Sequence, residues 1–197
     1  NVGGGAFISG ASPSLINCTF SENLADYAGG MIICYGSNPT LTNCTFTNNS
    51  ADSAGGGMEN CYSSNPTLTN CTFENNSAAY GGGIYNSDSS PIMNNCTFAN
   101  NSATNFGSGV LNWHYSNPTL TGCLIANNSS GSGGGMYSGN NSNPTLTNST
   151  LCGNSPNQIS GDYTDDGGNC ITDDCTECSA PDSDGDGVPD DQDICPD

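Results

Sequence analysis

Apolar residues come in bursts of three to five along this chain, alternate with period two, and are broken by Gly, Asn and Pro. No stretch carries the apolar stripe of a helix, so the pattern predicts short strands joined by bends. The bursts also repeat. The segment Pro39-Thr40-Leu41-Thr42-Asn43-Cys44-Thr45-Phe46 recurs at 66–73, 118–125 and 144–151, with looser copies at 13–20 and 91–98. Successive prolines are 26, 27, 25, 27 and 26 residues apart, which makes six copies of a unit of about 26 residues. One column reads Leu15, Leu41, Leu68, Met93, Leu120, Leu146. The next reads Cys18, Cys44, Cys71, Cys96, Cys123 and then Ser149. The third reads Phe20, Phe46, Phe73, Phe98, Ile125, Leu151, and three residues on comes Asn23, Asn49, Asn76, Asn101, Asn128, Asn154.

A single unit of this length cannot bury its apolar face, so copies must stack on one another. Stacking three short strands per unit at ~4.8 Å superposes Leu on Leu, Phe on Phe and Asn on Asn. The expected fold is all-β: a single-stranded parallel β-helix of about six coils, with Leu41, Cys44 and Phe46 inside. The spacing of three between Leu41 and Cys44 breaks alternation. Asn43 is therefore expected at a bend, where Asn tolerates the left-handed conformation, and its stacked amides can bond from coil to coil.

Two short motifs carry a resemblance. FxxN occurs as Phe20-Ser21-Glu22-Asn23, Phe46-Thr47-Asn48-Asn49, Phe73-Glu74-Asn75-Asn76 and Phe98-Ala99-Asn100-Asn101. A Gly-Gly-aliphatic motif occurs as Gly29-Gly30-Met31, Gly56-Gly57-Met58, Gly82-Gly83-Ile84 and Gly134-Gly135-Met136. Residues 3 to about 154 thereby resemble the polymorphic membrane proteins of chlamydia-like bacteria. That resemblance implies a right-handed β-helix, exposed on the surface or secreted, often adhesive.

Charge divides the chain. There is no Lys or Arg, and of 19 acidic residues only Glu22, Asp26, Asp52, Glu59, Glu74 and Asp88 precede residue 162. The division is expected as a β-helix at 1–160, a Cys/Asp-rich cap or linker at 161–181, and a distinct acidic segment at 182–197. Without basic side chains the protein cannot neutralise nucleic-acid phosphates or clamp an anionic substrate. No apolar run approaches the ~20 residues of a membrane span, so direct membrane insertion is not expected. The opening Asn1-Val2-Gly3 has neither Met nor signal peptide and reads as a mature or trimmed fragment.

The segment 182–193 places oxygen ligands at loop positions suited to Ca²⁺: Asp182, Asp184, Asp186, the carbonyl of Val188, Asp190 directly or through water, and Asp193, with Gly187 at the tight turn. An EF-hand would end on Glu rather than Asp193 and would have flanking helices. With its trailing Cys195-Pro196-Asp197, the segment instead resembles a thrombospondin type 3 repeat, which implies bound Ca²⁺.

Twelve Cys in such a chain suggest an oxidising, extracellular setting. The five of the repeat column read as small buried apolar side chains. Cys34 and Cys61 share another column and are candidates to bridge two coils. Cys152–Cys170 and Cys178–Cys195 are the pairings expected near the end, in preference to a zinc site on Cys175-x-x-Cys178. Eleven Asn begin N-x-S/T sequons, and Asn48, Asn75, Asn100, Asn127 and Asn140 are the candidates for glycosylation. His114 reads as surface decoration. Thr-x-Thr pairs such as Thr40/Thr42 and Thr67/Thr69 form an outward array of the kind seen on ice-binding faces, interrupted at Ser14/Ile16 and Ile92/Asn94.

These features point to a non-catalytic, extracellular or cell-surface, bacterial protein that is structural or adhesive. Open strand edges at the two ends of a β-helix add an expectation of a Ca²⁺-stabilised fibre built head to tail from copies of itself, with other cell-surface components as the alternative partners. The rival readings are a monomeric ligand-, glycan- or ice-binding module, and a polysaccharide-degrading enzyme. Lyase chemistry lacks its Lys or Arg, and the acids of the repeat region do not converge as hydrolysis requires.

Overall fold

The computed structural model describes residues 2–178. It is a right-handed parallel β-solenoid in which nearly every strand stacks in register on its copy one coil away. Sheet A runs Ala6–Ser9, Met31–Cys34, Met58–Cys61, Ile84–Ser87, Val110–Trp113, Met136–Ser138 and Ile159–Ser160. Sheet B begins at Ser14–Ile16 and ends at Thr164–Asp165, and sheet C begins at Thr19–Ser21 and ends at Cys170–Thr172, each with seven strands. A fourth sheet, D, joins Leu24–Ala25, Ser50–Ala51, Ser77–Tyr80 and Ser102–Phe106. Sequence had suggested three strands per coil; the fourth follows the FxxN asparagine, where the small Ala25, Ala51, Ala78 and Ala103 turn inward and are buried.

The core is the set of columns. Leu41 pairs with Leu68 and Phe46 with Phe73 in register, and Leu41, Cys44, Phe46, Leu68 and Phe73 have essentially no solvent exposure. The rings of Phe20, Phe46, Phe73 and Phe98 stack at centroid spacings of 4.9, 4.6 and 4.9 Å. Burying each such side chain stabilises the fold by about 2–3 kcal/mol. Cys44, Cys71, Cys96 and Cys123 are buried free thiols and Cys18 is half-buried. Their Sγ–H groups donate to carbonyls, as Cys71 does to Thr69 at 3.5 Å.

The bends follow from residue type. Asn17, Asn43, Asn70, Asn95 and Asn148 adopt φ between 48° and 55°, and Gly122 takes the same place in the fifth coil. Asn48, Asn75, Asn100 and Asn127 do so at the next bend. A short polar side chain tolerates this left-handed region where a branched one would not. The stacked amides bond weakly along the first bend, Asn43 to Asn17 at 3.2 Å and Asn70 to Asn43 at 3.3 Å.

The coil register continues past residue 160. Thr164 pairs with Thr145, Asp165 with Leu146, and Leu151 with Ile171, so residues 159–172 form a short seventh coil rather than a linker. Two of its columns turn polar: Asp165 occupies the Leu column, and Asn169 takes over from Ser149 by accepting from the Ser149 N–H at 2.8 Å. A short 3₁₀ helix, Cys175–Cys178, then lies against the outer side of sheet C.

Candidate functional site

The outward column of sheet A reads, in register, Phe7, Ile32, Glu59, Tyr85, Leu111, Tyr137. Outward positions of a sheet ordinarily meet water, yet Ile32, Glu59 and Leu111 are buried. Two rows of residues rise beside the sheet and account for this. One wall stacks Tyr27, Ala54, Tyr80 and Phe106, from the crossing between sheets D and A. The other carries Tyr62, Asp88 and His114, all with φ near 53°. With Trp113 on the floor they enclose a groove of about 910 Å³.

The rings pack along the axis. Tyr35 stacks on Tyr62 at 5.0 Å and Phe106 on Tyr137 at 4.8 Å, while Trp113 lies 6.2 Å from Tyr137. Trp113 can lie flat there because residue 139 is Gly; a Cβ would collide with its ring. Ala54 interrupts its wall, leaving a notch between Tyr27 and Tyr80 in the coil that holds Glu59. Gly55 keeps that coil close, with φ of 66° and no room for a Cβ, which would sit 2.8 Å from the Glu59 Cβ.

Glu59 is the chemical singularity of the groove. It is 9 % exposed and its Oε2 is buried without a hydrogen-bond partner. Burial pushes its carboxyl from the usual 4.5 up to about 7. Tyr85, one coil along, is also raised, first by burial. Under the groove, inward-facing Asn60, Asn86 and Asn112 form a short ladder, with Asn60 Nδ2 donating to Asn86 Oδ1 at 2.8 Å and Asn86 Nδ2 to Asn112 Oδ1 at 3.0 Å. Asn60 Oδ1, Asn112 Nδ2 and Ser138 Oγ are buried without partners. All four such orphan atoms among the described residues therefore belong to sheet A. Buried polar groups in native proteins are paired with few exceptions, and the exceptions gather where something other than stability is being served.

The residues expected from sequence lie elsewhere. Cys34 is bonded to Cys61 across two coils at a Cα separation of 4.8 Å, at the edge of the groove floor. The pairing Cys152–Cys170 is corrected. Register sets Cys170 beside Thr150 and Cys152 beside Thr172, and the 3₁₀ helix folds back over both cysteines. Cys152 bonds Cys175, and Cys170 bonds Cys178. Cys178–Cys195 is corrected with it, since Cys178 is already paired, and neither Cys175 nor Cys178 has a free thiol for zinc. Asp182, Asp184, Asp186, Val188, Asp190 and Asp193 lie outside the described residues, as does Cys195. Among the described residues no three His, Cys, Asp or Glu gather as a metal site.

Asn48, Asn75, Asn100, Asn127 and Asn140 are exposed, whereas the sequon at Asn128 is buried. Asn140 continues the left-handed column of Tyr62, Asp88 and His114. His114 is exposed, as expected, and lines the rim of the groove. The threonine array lies on sheet B and is broken in register by Ile92 and Asn94.

Glu59 and the two walls escaped the sequence reading. Two signals were there to find. Glu59 is the one acid in an otherwise apolar and aromatic column, and seven of the eight tyrosines, all but Tyr163, fall on sheet A or in the segments that flank it.

A family model described as a right-handed β-helix region matches residues 1–124. No curated protein matches the chain.

Proposed function

The chain belongs to the right-handed β-helix family, and on that scaffold we propose a non-catalytic, extracellular adhesive module whose binding surface is the groove on sheet A. One observation carries this reading: an aromatic-walled groove of about 910 Å³ whose floor holds a single unpartnered carboxyl. A rigid solenoid bearing a concave, mostly apolar surface with few polar groups is the usual make-up of a ligand site. The FxxN and Gly-Gly-aliphatic motifs support an adhesin resembling the polymorphic membrane proteins. Residues 182–197 support a thrombospondin type 3-like appendage holding Ca²⁺. Three disulfides support an oxidising compartment.

A head-to-tail fibre of copies is the alternative assembly; its stack would set Asp165 of one copy on Leu15 of the next, where the carboxylate would keep its bonds from the Gly167 N–H and Asn169 Nδ2 but lose its exposure to water at a cost in stability. Polysaccharide cleavage is a second reading, favoured by Glu59, whose carboxyl titrates near neutrality as a general acid requires. Strand geometry puts its Cα roughly 11 Å from that of Asp88.

The test of the reading is a panel of immobilised cell-surface ligands probed with the full chain and with Trp113→Ala, both checked for β structure by circular dichroism. Binding that is lost in the variant, with no release of reducing ends from any saccharide, supports the adhesive module. Binding unaffected by the variant places the adhesive surface elsewhere, and reducing-end release makes the protein an enzyme. For the appendage, calorimetry of the full chain is expected to show Ca²⁺ binding that Asp186→Ala abolishes; no heat with the natural sequence would remove Ca²⁺ from the account.

A further inference from the structure

Above about pH 7, where burial no longer keeps its proton in place, Glu59 is a buried carboxylate that the protein does not neutralise by itself. A buried carboxyl must be neutralised, by a proton or by a cation. The chain contains no Lys and no Arg to act as counter-ion. Glu59 Oε2 has no hydrogen-bond donor either. The one histidine, His114, follows the strand two coils along the floor from Glu59, so a cation seated against Glu59 comes from outside the chain.

The surroundings say which kind of cation. A hard metal ion needs six to eight oxygens around it, and no cluster of three ligating side chains exists here among the described residues. What the notch offers is aromatic rings: Tyr27 and Tyr80 on either side of Ala54, Tyr85 one coil along the floor, and Tyr62 on the opposite wall. Rings gathered around a desolvated carboxyl attract a soft, weakly hydrated cation through their negative faces. The formal charge of −19 adds a long-range field of the same sign.

We propose that the notch over Glu59 binds an alkylated ammonium group, with Glu59 as its counter-ion and the tyrosines as its cage. This deepens the adhesive reading and rests on it: the ligand of the groove is an organic cation. The remainder of the groove, toward Trp113, holds whatever carries the ammonium.

Binding is linked to protons. Burial holds Glu59 protonated until about pH 7, and the cation requires it ionised, so affinity rises with pH up to that point and one proton leaves on binding below it. The titratable groups facing Glu59 are Tyr85 on the neighbouring strand, Tyr27 and Tyr80 on one wall, and Tyr62, Asp88 and His114 on the other. His114→Gln and Asp88→Asn serve as controls that leave the Glu59 titration in place.

Choline, its uncharged carbon isostere 3,3-dimethylbutan-1-ol, and cellobiose are titrated into the full chain, with calorimetry and the fluorescence of Trp113, the sole tryptophan, as readouts. The expected result is saturable choline binding at pH 8, at least tenfold weaker at pH 5.5, at least tenfold weaker in Glu59→Gln, and absent for the isostere. Tyr85→Leu, which keeps an apolar floor, is expected to weaken choline about tenfold as well. Equal binding of choline and its isostere overturns the proposal, as does a Glu59→Gln variant that binds choline like the natural sequence. Cellobiose saturating the groove while choline does not overturns the cation and leaves the binding module standing. No response to any of the three, alongside loss of the Trp113-dependent binding above, removes both.

Discussion

Two asparagine ladders run through the same core. The longer one climbs Asn23, Asn49, Asn76, Asn101, Asn128 and Asn154 beside sheet C. Each interior member is saturated: Asn76 Nδ2 donates to Phe46 O at 2.9 Å and to Asn101 Oδ1 at 3.0 Å, while its own Oδ1 accepts from the N–H and Nδ2 of Asn49, both at 3.0 Å. The ladder also closes properly. Asn154 Nδ2 donates to Gln158 Oε1 at 2.7 Å, and Gln158 passes its own Nε2 to Asp173 at 3.0 Å. The shorter ladder, Asn60, Asn86 and Asn112, lies beneath sheet A. It meets Ile33 at one end and Ser138 at the other, and leaves an oxygen, a nitrogen and a hydroxyl without partners. The same residue type is thus used once to stabilise and once at a cost. The costly ladder lies directly under the groove and the orphan carboxyl of Glu59. Stability is concentrated on the side of the solenoid away from the groove.

That contrast can be broken from the stable side first. Asn76→Ala removes four hydrogen bonds and leaves the buried Asn49 N–H without its acceptor, for an expected loss of about 4 kcal/mol. Denaturant unfolding measures it, and a loss under 1 kcal/mol would show that the two ladders do not differ.

Glu59→Gln sharpens the comparison through pH. The folded carboxyl is raised to about 7 against 4.5 when unfolded. Between these values the unfolded state releases a proton that the folded state keeps. The natural sequence therefore loses stability as pH rises from about 4.5 to 7 and levels off above. The total is on the order of 3 kcal/mol. Unfolding curves of the two proteins at pH 4 and pH 8 are expected to diverge by that amount, with the variant the more stable at pH 8.

Asn86→Ala removes only two bonds, so about 2 kcal/mol is expected, half the effect of Asn76→Ala. Smallest of all is Asn60→Ile, which extends the column from Ile33 and removes an orphan oxygen while freeing one acceptor on Asn86. Its stability is expected to stay within about 1 kcal/mol of the natural sequence. A loss of 3 kcal/mol there would mean the short ladder is as well satisfied as the long one.

What a repeat encodes is translation along an axis, and that part of the molecule was legible. Leu41 on Leu68, Phe46 on Phe73 and the left-handed Asn43 follow from stacking alone. The groove is lateral. One wall is the column Tyr27, Ala54, Tyr80 and Phe106, which mixes three residue types, so no strict periodicity marks it. Glu59 reads as one surface acid among six until the walls are seen to close over it. The seventh coil hid behind its own chemistry: Asp165 in the Leu column looks like the start of an acidic tail, when it is the polar end of the core. The cysteine pairings failed for a related reason. Cys175 and Cys178 reach Cys152 and Cys170 only because the chain reverses after Thr172, and no spacing within the repeat announces a reversal.

That reversal has a mechanical consequence. Tension applied at Cys178 passes through sulfur to Cys170, and through Cys175 to Cys152, which is itself in the sixth coil. The load path skips residues 153–174, so the final coil is shielded from peeling. Rupture must begin at hydrogen bonds deeper in the stack, where a whole coil resists together. The Cys34–Cys61 bond rivets the second coil to the third in the same way. Force arriving from the amino-terminal side bypasses residues 35–60 through this bond, so the strand that carries Glu59 lies inside the covalent loop.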